Sequence, residues 1–345
     1  MLRYFSKNVG VDLGTANSLI YVAGRGIMVN QPSVAAVNAK TMNILAVGDE
    51  AKKMLSRTPA HINVVRPLVN GVISDFEVTQ EILRHFLRAA HGSRFAYFRN
   101  AVLGVPSNLT EVERKSVEDA AVGAGASRAY IIEETVAATL GAGLPIYEPT
   151  SNMIIDIGGG TTDIAIISLG GLVVARSLKV AGDHFNQDII NFVRDEFKLL
   201  IGEPTAENIK IAVGSAVPLD EKLEIAVRGR DLASGLPREI TIKNTHARTA
   251  LSRALKYIVD AIKEVIEVAP PELVGDVYKN GIYLCGGGSL LRGIDQLIAK
   301  ELSVQCYVID EPLTCVVRGI GKVVENLEEH RRFLDNPVRP REINL

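Results

Sequence analysis

The stretch Ile154-Ile155-Asp156-Ile157-Gly158-Gly159-Gly160-Thr161-Thr162, followed by Asp163 and the apolar run Ile164–Ile167, constrains this 345-residue chain more than any other. Three glycines after an apolar strand suit a phosphate-holding turn, the opening of a dinucleotide fold, or a plain tight bend. A dinucleotide turn must feed a helix of about three turns. Here only Asp163–Ser168 precedes the next break, Leu169-Gly170-Gly171, and that segment is short and β-branched. The unit is therefore strand–turn–strand, and the dinucleotide reading fails. The same device occurs once more, in Val9-Gly10-Val11-Asp12-Leu13-Gly14-Thr15 with the second run Leu19–Val22. Two separated copies predict two related lobes facing each other.

The chemistry of such a pair follows from its residue types. Glycine lets backbone N–H groups approach an anion with no Cβ in the way. Gly158, Gly159 and Gly160, with the hydroxyls of Thr161 and Thr162, offer that from one side; Gly14, Thr15, Ala16 and Asn17 offer it from the other. Asp12 and Asp156 precede the two turns. A carboxylate beside phosphate is repelled unless a divalent cation lies between them, commonly Mg²⁺ held through its waters. The pair therefore reads as a clamp for a nucleoside triphosphate and its metal. The plainer alternative is two tight hairpins with solvent-facing aspartates. A third glycine run, Gly286-Gly287-Gly288-Ser289-Leu290, follows the strand-like Ile282–Leu284 and precedes a helix. It offers a flat surface for a base or sugar. Glu207 and Lys210 share a helix face and suit the base edge and ribose hydroxyls, with a surface ion pair as the plainer account.

The rest of the chain frames these motifs. Strand-like and helix-like segments alternate, which predicts an α/β fold. Strands are expected at Val9–Leu13, Ser18–Val22, Ala101–Val105 and Tyr130–Ile132. Helices are expected at Val78–Ala90, Thr110–Gly123 (Thr110 and Glu113 forming a capping box), Glu134–Leu140, Ile189–Leu200, Ala206–Val213 and Thr249–Val268. The proline-containing, charged tail after Arg331 reads as mobile. Thirty-eight basic and forty acidic side chains give a net charge of −2, without the basicity of a nucleic-acid binder. Cys285, Cys306 and Cys315 lack metal-ligand spacing and read as reduced, mostly buried thiols. No secretory leader and no uncharged run of about 18 residues is visible, so a cytoplasmic protein, soluble or peripheral to a membrane, is expected.

The two hairpins and the late glycine run resemble the actin, sugar kinase and heat-shock ATPase superfamily. Within it the chain is similar to the MreB family of bacterial actin-like filament proteins, from about Val9 to Glu325. The blocks "DLGTANSLIY", "NQPSV", "RPLVNGVISDFE", "GVPSNLTEVER", "DIGGGTTDIAIISLG", "GEPTAENIK", "GRDLASGLPRE", "APPELVGD", "GIYLCGGGSLLRGID" and "EPLTCVVRGIG" carry the likeness in order. The resemblance implies an actin-like, duplicated ribonuclease H-like fold of four subdomains around a nucleotide cleft: 1–32, 66–147 and 316–345 (IA), 33–65 (IB), 148–183 and 248–315 (IIA), and 184–247 (IIB). It implies ATP, with GTP as the alternative, bound with Mg²⁺. Thr15, Ala16 and Asn17 match its first phosphate loop and Gly159, Gly160 and Thr161 its second. Glu207, Asn208, Ile209 and Lys210, with Gly287 to Leu290, match its base and ribose contacts. Glu134 and Thr161 match the residues that position the attacking water. The implied function is a slowly ATP-hydrolysing polymer at the inner face of the plasma membrane. Its implied partners are further copies of itself, cell-wall elongation proteins and membrane-anchor proteins. A small-molecule kinase of the same superfamily is the alternative. A chaperone ATPase would need a peptide-binding domain after Val324, where only a short tail follows.

Several positions depart from the family pattern. Thr135 stands where proline usually follows the acidic pair, Asp163 replaces a glutamate, and His184, Asn186 and Gln187 replace acids. Nucleotide binding is expected to survive these changes. Lastly, Arg94-Phe95-Ala96-Tyr97-Phe98-Arg99 packs three aromatics between arginines in a chain with few aromatics. Phe95, Tyr97 and Phe98 are expected to dip into the bilayer interface, as the matching loop of MreB relatives does, rather than fold back onto the lobe. Leu2, Tyr4 and Phe5, beside Arg3 and Lys7, suggest a weak second anchor.

Overall fold

A computed structural model describes residues 7–92 and 97–335. The repeated hairpins are the inner strands of two five-stranded sheets with the same plan. In the first, Val9–Leu13 pairs antiparallel with Asn17–Val22, which pairs with Gly26–Pro32; on its other side lie Ala101–Val105 and Ala129–Glu133, both parallel. In the second, Asn152–Ile157 pairs antiparallel with Thr162–Ser168, then Gly171–Leu178; on its other side lie Ile282–Cys285 and Cys306–Val308, both parallel. The duplication read from two short motifs thus extends to whole sheets. All residues of Asn152–Ile157 are buried, as expected of a central strand covered on both faces.

Two helices lie between the sheets. Cys315–Glu325 packs on the first sheet and Glu134–Gly141 on the second, and they cross at Gly319 and Gly141. Neither glycine has room for a Cβ, because each faces the other helix's backbone. A close crossing of this kind lets a joint be compact without side chains to fill it. The outer face of the first sheet carries Phe76–His91 and Glu111–Ala124, the latter with the Thr110–Glu113 capping box in place. The second lobe's core is filled chiefly by Gly182–Phe197, Glu203–Val213 and Asn244–Val268. Each lobe also carries a small three-stranded sheet: Ala35–Asn38, Ile44–Val47 and Ile62–Val65 on the first, and Leu199–Leu200, Glu224–Asp231 and Pro237–Lys243 on the second.

Some expected boundaries move. The helix expected from Ile189 begins seven residues earlier at Gly182, and Leu199–Leu200 leave it to form a strand. Its polar first turns hid it, because only Phe185 there enters the core while Asp183 and Asn186 line the cavity between the lobes. Gly287–Leu290 forms a 3₁₀ turn, and the helix after the glycine run begins at Ile294. The tail read as mobile starts with a helical turn, Arg332–Asp335, whose Arg332 guanidinium sits 4.0 Å over the Tyr147 ring; residues 336–345 lie outside the described residues.

The aromatic loop corrects another expectation. Phe98 is 1% exposed, a core residue set edge-on against His91, and its backbone bridges to Ala126. It cannot enter a bilayer without unpacking the first lobe. Tyr97 is exposed and hydrogen-bonds Ser127 through its hydroxyl. Phe95, Leu2, Tyr4 and Phe5 lie outside the described residues. Among the described residues no helix is long and apolar enough to cross a membrane.

Candidate nucleotide site

A cavity of about 560 Å³ opens between the lobes, with both hairpin turns in its wall. Asp12, Gly14, Thr15, Ala16 and Asn17 line it from the first lobe; Asp156, Gly158, Gly159, Gly160 and Thr161 line it from the second. Gly286, Gly287, Gly288 and Leu290 form one side, Glu207 and Lys210 another, and Glu134 the floor near the hinge. Three expected residues are elsewhere. Ile209 is fully buried in the second lobe's core, Asn208 points to solvent, and Ser289 is buried with its hydroxyl donating to the Gly286 carbonyl at 2.7 Å. Lys210 is partly committed, since its Nζ donates to the Gly182 carbonyl at 2.9 Å.

The turns touch each other. A Cβ on Gly159 would lie 2.7 Å from the Ala16 Cβ, and one on Gly160 would lie 2.5 Å from Thr15 Oγ1 and 3.0 Å from the Asn70 Cα. The glycines are therefore required by the opposite turn as well as by any anion. Asn70 and Gly71 form a tight turn between Leu68–Val69 and Val72–Ile73, both with positive φ. The Gly71 amide donates to Thr15 Oγ1 at 3.0 Å, so this turn braces the first hairpin beside Thr161. Sequence reasoning missed it, although an Asn-Gly pair between apolar residues is a strong hairpin signal. It also missed Lys52, Arg66 and Asp183, which line the cavity wall with Asn186, a position noted only for replacing an acid.

Carboxyl groups dominate the floor. Burial holds Glu134 well above the usual carboxylate range, and Asp163, Asp12, Asp156 and Glu133 add to the effect. Burial does the same to Asp156, with Asp12 and Asp163 reinforcing it. Burial pushes Asp12 up to about 7. Asp163 sits opposite Asp156 in the hairpin and is 1% exposed. Burial pushes it up to about 6, while the Thr161 hydroxyl and the Ser107 amide beside it pull the other way. Enclosed carboxyls that raise one another fit a divalent cation, which removes the repulsion. Among the described residues no group of three or more His, Cys, Asp or Glu is arranged to hold a metal directly. The donor set therefore fits an ion held by phosphate oxygens and water with Asp12 and Asp156 behind it, the usual habit of Mg²⁺.

The departures from the family pattern have visible settings. The helix starts at Glu134 even with Thr135 in place of proline; the Thr135 side chain is buried and its hydroxyl has no hydrogen-bond partner among the described residues. Asn186 is buried on the cavity wall and its Oδ1 also lacks a partner among the described residues. His184 lies 3.7 Å from Asp188, and Gln187 donates to Asn191 at 3.1 Å.

Known proteins share this architecture. The family model described as "MreB/Mbl protein" matches residues 6–332. The cell shape-determining protein Mbl of Bacillus subtilis (strain 168) is 46% identical over 325 residues, covering 94% of this chain and 98% of that protein. The cell shape-determining protein MreB of Escherichia coli (strain K12) is 47% identical over 331 residues, covering 94% and 95%. The crystal structure of MreB5 of Spiroplasma citri bound to ADP superposes with a TM-score of 0.89 at 41% identity, covering 94% of this chain and 99% of that one. The same protein bound to AMPPNP gives 0.89 at 40%, covering 95% and 98%. The MamK double helical filament, 23% identical with a TM-score of 0.80, shares the fold. The two duplicated sheets, the cavity between their hairpins and these likenesses lead to one conclusion: the chain belongs to the MreB/Mbl family and has its two-lobed, actin-like fold.

Proposed function

We propose that the protein is a nucleotide-dependent cytoskeletal polymer that determines cell shape. The observation that carries this is the pair of opposed hairpin turns meeting over a floor of carboxyls in a cavity of nucleotide size. Its relatives are cell shape-determining proteins, and a structural neighbour binds ADP and AMPPNP, which supports an adenine nucleotide here. These likenesses do not favour the small-molecule kinase. The four subdomains take the boundaries given above, with the cavity where they meet.

In this reading the amides of both turns and the hydroxyls of Thr15 and Thr161 bind the phosphates, with Asp12 and Asp156 behind the metal. Mg²⁺, when bound, neutralises charge on the phosphoryl oxygens. Glu134 and Thr161 orient the attacking water, and the enclosed floor keeps other water out. Gly287 and Leu290 face the base and ribose, with Glu207 at the ribose hydroxyls. ATP closes the lobes and favours assembly, and slow hydrolysis loosens it. The filament lies on the inner face of the plasma membrane, where exposed Tyr97 and the basic residues near it contact the bilayer interface, alongside cell-wall elongation and membrane-anchor proteins.

Sedimentation with ATP and Mg²⁺, with and without anionic lipid vesicles, tests this directly. Wild type pellets with ATP and co-floats with vesicles. Asp156→Ala loses nucleotide-dependent pelleting, and normal pelleting would defeat the clamp. Glu134→Ala still binds ATP and releases phosphate at least about tenfold more slowly; wild-type release would remove its role.

A further inference from the structure

Three ion pairs span the mouth of the cavity, and all run from the first lobe's small sheet region to the second lobe's helices. Lys52, on the helix Asp49–Met54, lies 3.7 Å from Glu207 on Glu203–Val213. Arg66, just after the strand Ile62–Val65, lies 2.5 Å from Glu203 and 3.7 Å from Asp183, at the start of Gly182–Phe197. Both cations come from one side and all three carboxylates from the other. Lys52, Arg66, Asp183 and Glu207 also line the nucleotide cavity, so these pairs form its outer wall.

The helix Asp49–Met54 packs chiefly on its own small sheet and on the strand Gly26–Pro32. The joint lies at the opposite end, where Glu134–Gly141 crosses Cys315–Glu325. Rotation about that joint would part the ion pairs and leave both cores intact. The Arg66 pairs are half-buried, the Arg66 side chain 26% exposed against 36% for Glu203, while Lys52 is more open at 44%. Their charges are thus only partly screened, and one arginine serving two carboxylates makes the pairs act together.

We propose that Arg66 with Glu203 and Asp183, and Lys52 with Glu207, form an ionic latch that holds the cleft closed over bound nucleotide and sets its rate of release. The proposal rests on the nucleotide reading of the cavity and adds the control of exchange. It also gives Glu207 a second duty, since a carboxylate engaged by Lys52 is held in place for the ribose.

The test is a charge swap, read as dissociation of a fluorescent ADP analogue chased with excess ADP, at protein concentrations below assembly. Arg66→Glu and Glu203→Arg each release the analogue about five- to tenfold faster than wild type, and Lys52→Ala about two- to threefold faster. The double variant Arg66→Glu/Glu203→Arg returns most of the way to the wild-type rate, which also shows that the singles act through the pair and not through misfolding. If wild type binds the analogue while Arg66→Glu releases it at the wild-type rate, the latch is wrong and the site stands. If Arg66→Glu is fast and the double variant stays fast, Arg66 acts on the nucleotide itself and the latch is again wrong. If wild type holds no analogue, the nucleotide reading falls and takes the latch with it.

Discussion

The two hairpins descend from one plan yet divide their work. The first keeps side chains in its turn, Thr15, Ala16 and Asn17; the second has given them up for Gly158, Gly159 and Gly160. The structure shows why both cannot keep them. The positions that Cβ atoms would occupy on Gly159 and Gly160 lie against Ala16 and Thr15. One turn supplies the bulk, and the other supplies the room for it. Their carboxylates differ in the same sense. Asp156 is buried while Asp12 is half-buried, and burial raises both well above the usual carboxylate range. A duplicated motif that faces its own copy must become asymmetric, because identical turns would collide.

The largest effect expected from breaking this asymmetry is at Gly160. Its Cβ would meet both Thr15 and the Asn70 backbone, and backbone cannot step aside. Gly160→Ala should abolish nucleotide-dependent pelleting and cost about 1–3 kcal/mol in urea unfolding; a variant that pellets like wild type would show the turns are looser than drawn. Gly159→Ala comes next. Its clash is chiefly with the Ala16 methyl, so it should weaken nucleotide binding about tenfold, and adding Ala16→Gly should recover most of that in isothermal titration. Failure of the rescue would move the reason for Gly159 from the facing turn to the phosphate.

The smallest effect is on pH dependence without nucleotide or metal. The carboxyls of Asp12 and Glu133 are raised by burial to about 7, far above their unfolded values. The folded state therefore binds more protons than the unfolded one near neutrality. Their contribution is fully present below the unfolded pKa, near 4, and is lost as pH rises through about 7. The thermal midpoint should fall by a few degrees between pH 5 and pH 8. Asp12→Asn should flatten part of that slope. A midpoint that rises with pH would contradict the burial of these groups.

The features legible in the sequence were local ones. The β-branched run after Thr162 fixed a strand, and the Thr110–Glu113 spacing fixed a capped helix. Phe98 was not legible, since an aromatic between arginines looks the same whether it points out or folds under His91. Nor was Ile209, where a matching block gave a contact and the helical period put the side chain in the core.

By itself, then, the sequence determined the hairpins and their duplication, because strand and turn at each copy are set by residues within a few positions of one another. Only the tertiary structure decided what faces what. Gly160 against Thr15, Gly141 against Cys315, and Arg66 against Glu203 join residues far apart in the chain. Such contacts depend on how two whole lobes pack about a joint, and no local preference encodes that.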